Sequence, residues 1–510
     1  MQKPGTNQSS RRDQWVLLAT ILASGMAILD GTALNVALPA LQRDLQTDGL
    51  GLLWIVNAYL LMLAALILPG GSLGDHIGRR KVFMAGIGLF LVASLACGMA
   101  PDAGLLIAAR VAQGVGGALM VPGSLAILTA YFPAEGRGKA IGTWSGAGAA
   151  MVVAGPLLGG ALADAGLWRG VFFLNLPIGL LTLWLTYRHV PESHDEQAPP
   201  GLDYAGAGLA AAGLAGLTYG FTMLPRFGFG DPRIYGTLVG GVLALLLFVR
   251  VERTSRHPML PLSLFRSGTF SGANLLTLLL YSALSACTFF LALNLVQVQG
   301  YSPSQAGLAF MPLPVPLVLL SRWAGKLTDR WGVRLPLIAG PLVAGAGFWL
   351  LSRVGLTAGP AAYWSGFFPG ILVFGFGMTI TVVPLTSAVM GSVPAHYSGT
   401  ASGVNNAVSR LAAVLAIAVL GAVAISRFTG EVRTTTAGMA FTSAQRTAIR
   451  AEARNFGEAR VPAAVTQTAL AVTLQHTFRR AFADAFGWVM QVCALLAWAS
   501  AGAAALLIKK

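Results

Sequence analysis

The chain is poor in charge: Asp, Glu, Lys and Arg make up 10% of its 510 residues, where a soluble domain carries roughly a quarter. A water-soluble fold with so few charges would expose large apolar patches and aggregate. Acids are scarcer still, 19 against 34 Lys and Arg, which excludes a coiled coil and a disordered chain. Cysteine is nearly absent. Cys97, Cys287 and Cys493 are far apart in apolar runs and odd in number, which excludes a disulfide framework and metal-ligand spacing. They read as small buried hydrophobes. The six histidines lie in or near polar connections. No phosphate-binding glycine loop is present, so ATP does not drive this chain directly, and no acid, base and nucleophile converge as an enzyme would require.

Apolar residues are abundant, 55% of the chain, with a mean hydropathy of +0.69. They fall into fourteen runs of the roughly 20 residues that a membrane span needs, starting near Trp15, Leu52, Val82, Ala103, Lys139, Trp168, Asp203, Ile234, Thr269, Ser304, Leu335, Ala362, Thr400 and Phe486. The 63 glycines and 26 prolines would break soluble helices, but membrane helices tolerate them and use small residues for close approach. The polar, basic segment before Trp15 has no small-residue cleavage site behind it, so it reads as a cytoplasmic N-terminus and not a removed signal peptide.

The net charge of +15 would suggest nucleic acid in a soluble protein. Here the basic residues cluster between apolar runs, as expected of loops against an anionic cytoplasmic leaflet, so lipid bilayer and not nucleic acid is the implied partner. With the N-terminus inside, the inner segments hold 19 Lys and Arg and the short outer ones five. An even number of spans then returns the C-terminus to the cytoplasm. One long connection, 427–484, carries eight arginines and falls outside. Its stretch Thr442 to Ala459 has the composition of a surface helix.

An internal repeat organises the chain. Gly71-Ser-Leu73-Gly-Asp75-His-Ile-Gly78-Arg79-Arg80 recurs 254 residues later as Gly325-Lys-Leu327-Thr-Asp329-Arg-Trp-Gly332-Val-Arg334, identical at five positions. Each copy falls in the inner loop after the second span of a six-span half. The expected architecture is therefore an all-α polytopic membrane protein. It has two six-helix bundles related by pseudo-symmetry, two inserted helices, and a long extracytoplasmic loop before the last helix. Its parts are a cytoplasmic N-terminus 1–13, an N-terminal bundle 14–190, a linker with two spans 191–252, and a C-terminal bundle 253–510. Duplicated helical halves with a midplane binding site are how many secondary transporters are built.

Charge inside the bilayer is costly and marks function. Asp30 is the one acid well inside a span, roughly 22 Å from the inner face, and Arg110 lies about 10 Å below the outer face. The depths nearly agree, so the two can pair. Asp30 is then either a proton carrier whose charge follows substrate occupancy or a permanently ionised partner that fixes packing. Arg110 shares the same two readings. Arg410 lies near mid-depth of the thirteenth span with Asn405 and Asn406. These three, with Asn57, Gln113 and Asn175, are candidates to line a substrate cavity or to bond between helices. In the repeated loop Gly71 and Gly78 permit tight turns, and Asp75 can cap a helix or pair with an arginine. Together with Arg79, Arg80 and Asp329 it is a candidate inner gate. Gly155, Pro156 and Gly159 in the fifth span should bend that helix or let a neighbour approach very closely.

These residues resemble the major facilitator superfamily, in particular its fourteen-span drug/proton antiporter branch. Leu29-Asp30-Gly-Thr32-Ala-Leu-Asn35-Val-Ala37-Leu38-Pro39 is similar to the first-helix motif of that branch. Gly71 to Lys81 is similar to the superfamily loop motif, Arg110-Val-Ala-Gln113-Gly114 to the fourth-helix motif, and Gly155-Pro156-Leu-Leu-Gly159-Gly160 to the antiporter motif. The resemblance implies alternating access and proton-driven efflux of small amphiphilic compounds across the cell membrane. It implies no cofactor beyond the proton gradient and a monomer, alone or with accessory efflux proteins. Asp30 matches the motif aspartate, Arg110 the motif arginine and Asp75 the loop acid. Two departures stand out. Met151 replaces the first glycine of the fifth-helix motif. Asn405, Asn406 and Arg410 stand where some relatives have acids, which argues against a second proton site and against strongly cationic cargo. Alternatives are proton-coupled export or import of one metabolite, antibiotic or lipid and, further off, a non-transporting membrane receptor.

Overall fold

The computed structural model describes residues 6–194, 203–255, 258, 260–393 and 398–508. Among them, fourteen helices are long and apolar enough to cross a bilayer, one for each apolar run in the sequence. In lipid a backbone amide has no water to bond, so each segment satisfies its own N–H and C=O groups as a helix.

The N-terminal bundle comprises α1 (Thr6–Asp44), α2 (Gly49–Ile77), α3 (Arg79–Met99), α4 (Ala103–Tyr131), α5 (Ala134–Asp164), and a sixth span made of α6 (Gly170–Phe173) and α7 (Asn175–His189). The inserted pair is α8 (Tyr204–Phe227) and α9 (Pro232–Thr254). The C-terminal bundle comprises α10 (Gly268–Leu293), a tenth span broken into α11 (Pro303–Ala309) and α12 (Pro314–Trp331), α13 (Arg334–Ser352), α14 (Phe367–Gly391), α15 (Ser398–Ala437) and α17 (Thr468–Leu507). Within the first bundle α4 packs on α2 and α3, and α1 on α5 and α7; within the second α13 packs on α14 and α17, and α10 on α15 and α17. The inserted α8 lies against α9 and touches both bundles, through α2 and α15. Small residues set these distances. A Cβ on Gly155 or Gly159 would collide with Thr32 or the backbone of Ala33, so the fifth span meets α1 backbone to backbone, the close approach that the sequence implies. Met151, where the motif glycine is missing, packs against Gly25.

Two expectations need correction. The repeated segment is not a loop. Gly71 to Ile77 are the last turns of α2, and only Gly78 turns, at a φ of 126° that disfavours a Cβ. Its second copy likewise runs as helix to Trp331 before Gly332 turns at φ 72°. Nor is 427–484 an extended connection. α15 continues to Ala437 and α17 begins at Thr468, each 40 residues long where a span needs about 20, and the two pack on each other. The true connection is a cap. It holds α16 (Ser443–Glu452), started by a Thr442–Gln445 capping box, and a short turn Ala453–Glu458. The surface helix expected there exists, and Phe456 from its following turn is buried against Phe428 and Phe482.

Candidate functional site

Asp30 and Arg110 do pair. Arg110 Nη1 donates to Asp30 Oδ2 at 2.5 Å, and the two side chains are 0% and 1% exposed. Around them a closed polar cluster forms inside the N-terminal bundle. Gln113 Nε2 donates to Asp30 Oδ1 at 2.8 Å and to Ser94 Oγ at 2.8 Å, while its Oε1 accepts from Arg110 Nη1 at 2.6 Å. Asn175 Nδ2 reaches Asp30 Oδ1 and Ser94 Oγ, each at 3.2 Å. Arg110 Nε donates to the Ile55 carbonyl, and its guanidinium carbon lies 4.3 Å from the ring centroid of Tyr59. Five spans, α1 to α4 and the sixth, thus meet in one network, in which α4 and the sixth span bond the Asp30 carboxylate directly. Burying a charge is tolerable only when it is paired and hydrogen-bonded, and here both conditions hold.

Of the two readings open for Gln113 and Asn175, the structure shows the bond between helices: both are fully buried and donate their amides to Asp30. Asn57 is also fully buried, but neither of its polar atoms has a partner. Asn405 bonds Asn274 and Thr277 on α10, an interhelical role, while Asn406 is exposed. Arg410 is half-buried with Nε shielded and unbonded. Sequence reasoning missed Ser94 and Tyr59, because a serine or tyrosine in an apolar run carries no charge signal.

A cavity of about 70 Å³ lies between the bundles, lined by Thr32, Asn35 and Pro156 on one side and Thr288, Phe310 and Met311 on the other. It is too small for a drug-sized ligand, whose pocket needs roughly 300–1,000 Å³. Thr32 and Asn35 sit about 200° and 140° around α1 from Asp30 at 100° per residue. The acid and the cavity therefore occupy opposite faces of one helix.

At the end of the molecule away from the termini the bundles are joined. Asp164 accepts from Ser302 Oγ at 3.2 Å and from the Ser304 amide at 2.9 Å. Gln42 accepts from Gln297 at 2.8 Å and donates to the Asn455 carbonyl, and Arg43 pairs with Glu458 at 3.4 Å. At the other end the first copy of the motif bonds to its own bundle and to the start of the linker. Asp75 pairs with Arg79 at 2.8 Å, Arg79 N donates to the Ser193 carbonyl, and Arg80 holds the Tyr187 carbonyl and, through its amide, Glu192. The side chain of Asp329 lies outside the described residues.

Comparison with known proteins agrees with this architecture. Residues 20–417 match the Major Facilitator Superfamily. A tetracenomycin C resistance and export protein of Streptomyces glaucescens is 33% identical over 81% of this chain and 76% of its own. A puromycin resistance protein of Streptomyces alboniger is 35% identical over 81% and 82%, and a methyl viologen resistance protein of Salmonella typhimurium 31% over 82% and 84%. In structure the chain is similar to a bacterial homologue of the human lysosomal transporter Spinster in its inward-facing, unoccupied conformation, with a TM-score of 0.66 at 17% identity over 99% and 98% of the two chains. A D-xylose–proton symporter shares the fold with a TM-score of 0.56 at 16% identity over 95% and 97%. Among the described residues fourteen helices fit to cross a membrane, twelve of them in two bundles; with the repeated turn motif and a match over most of its length they place this chain in the Major Facilitator Superfamily.

Proposed function

We propose that the protein is a proton-coupled exporter of small amphiphilic compounds, working by alternating access as a monomer in the cytoplasmic membrane with both termini inside. The moving bodies are 14–190 and 253–510, joined by 191–252. Its relatives named for resistance or export of tetracenomycin C, puromycin and methyl viologen support this reading.

The observation that carries it is Asp30, an acid sealed mid-bundle and held by Arg110, Gln113 and Asn175. Protonating Asp30 removes the attraction that binds α1 to α4 and leaves Arg110 with a neutral partner. Since the opposite face of α1 lines the cavity between the bundles, a shift of α1 changes that cavity. Proton and cargo therefore need not compete for one spot; they act on two faces of the same helix. Asp30 loads from outside when the joined end opens and discharges inward in the alternate state. The Asp75–Arg79 turn and its Asp329 counterpart close the inner end in that cycle. The proton gradient is the whole energy source. At ~150 mV one proton carries roughly 3.5 kcal/mol, about a 300-fold gradient of neutral cargo.

The test is transport of a fluorescent amphiphile into inside-out vesicles. Wild type should accumulate it until an uncoupler is added. Asp30→Asn, which keeps the side-chain shape and one acceptor oxygen but neither the charge nor the capacity to carry a proton, should abolish uncoupler-sensitive uptake. Undiminished uptake by that variant would remove Asp30 from the mechanism.

A further inference from the structure

Arg410 is a mid-membrane charge that the proton cycle above does not use. It lies twelve residues into α15, about 18 Å along the axis from Ser398. It is half-buried, its Nε is fully shielded and unbonded, and no carboxylate among the described residues pairs with it. Arg110, by contrast, has Asp30. A guanidinium is always ionised and carries five donors in a planar fork. Holding one at this depth with an open donor leaves a standing demand for an anion.

The surroundings say where that anion would sit. α15 runs antiparallel to α2 across the seam between the bundles. Gly421 faces Leu53 near one end and Gly403 faces Leu68 near the other, so Arg410 is level with about Met62, one turn from Tyr59. It lies within electrostatic reach of the Tyr59 and Tyr281 phenols. A helical side chain leans toward the N-terminus of its own helix, which here is the Ser398 end, away from the contacts that join the bundles. Beside it the two helices and α8 build an apolar cluster that includes Leu61, Ala64, Leu411 and Leu415. A cation next to an apolar wall, on the seam that alternating access opens, fits an amphiphile with an acidic group.

We propose that Arg410 is the recognition charge for cargo that carries a carboxylate or similar anion on an apolar body, bound at the α2–α15 seam. This deepens the export reading and rests on it. Bidentate pairing of guanidinium with carboxylate supplies orientation as well as affinity.

The experiment uses the full chain purified in a neutral detergent and three probes: pyrenebutyric acid, its methyl ester, and a pyrenylbutyl trimethylammonium salt. Energy transfer from the protein's 11 tryptophans to pyrene reads binding. The acid should bind wild type tighter than the ester and the cation. Arg410→Gln should lower the acid-to-ester affinity ratio about tenfold, and Arg410→Lys should restore part of it. An unchanged ratio in Arg410→Gln, a parallel loss for acid and ester, or a preference of wild type for the cation overturns the proposal. So does displacement of the acid probe by phosphatidylglycerol but not by excess naphthoate, since the site would then hold lipid headgroups. Uncoupler-sensitive transport of the ester in proteoliposomes tests export separately. Its failure would sink the transport cycle while the binding ratio still judges Arg410.

Discussion

The guanidinium carbon of Arg110 lies 4.3 Å from the centroid of the Tyr59 ring while its Nη1 donates to Asp30. An aromatic face and a carboxylate thus share one buried cation. Because the Tyr59 hydroxyl itself is buried without a partner, the ring and not the phenol supports the arginine. Tyr59→Phe should leave stability within about 0.5 kcal/mol of wild type, and Tyr59→Leu should cost about 1–2 kcal/mol. Unfolding in detergent checks this, and equal losses for both variants would mean that the hydroxyl matters after all.

The pair Asp30–Arg110 should behave as a unit. Removing either charge alone leaves the other buried and unpaired, which costs about 3–5 kcal/mol, whereas removing both is far milder. Arg110→Gln and Asp30→Asn are therefore expected to be non-additive, the double variant being more stable than Arg110→Gln in a double-mutant cycle. Additive losses would show that the two charges do not depend on each other.

The contact between α5 and α1 should be intolerant of added volume. A methyl at Gly159 meets the Ala33 backbone, which cannot swing aside. Gly159→Ala should lower stability by about 1–3 kcal/mol, the range for overpacking, while Gly31→Ala, where the Cβ position is open, should not. Similar unfolding midpoints for the two would contradict the packing.

Gly160 and Gly307 bring α5 and α11 together where the bundles are joined, each meeting backbone of the other helix. Gly160→Val should hold that end apart. A cysteine placed at Ser304 should then react faster with a membrane-impermeant maleimide than in a Gly160 background; the native Cys97, Cys287 and Cys493 are buried and give little signal. No change in rate would mean that this end does not open along α5 and α11.

The Asp75–Arg79 pair is only part-buried, with side chains 35% and 17% exposed, so as an i,i+4 pair it should contribute just ~0.3–0.5 kcal/mol to stability. If the turn is a gate, Asp75→Asn should nonetheless slow transport at least about tenfold while the unfolding midpoint stays put. Full-speed transport would reduce the motif to an ordinary basic turn.

Sequence alone determined the solvent, the number of spans and Asp30 as an acid buried well inside a span. These are one-dimensional facts: lipid forces each apolar run of about 20 residues to satisfy its own backbone as a helix, whatever its neighbours do. Depth along a helix follows from residue count, which is why Asp30 and Arg110 could be matched before any contact was known. Direction around the helix is different. Whether Asp30 faces the cavity or the bundle interior depends on which helices pack beside α1, and those come from residues up to 145 positions away, as with Asn175. The same holds for Gln113, which the sequence left open between cavity wall and a bond between helices, and for Phe456, whose burial under the cap needs the long α15 and α17 to pack on each other. Only packing between distant segments settles such matters, since a polar side chain in an apolar run has no local preference for one neighbour over another.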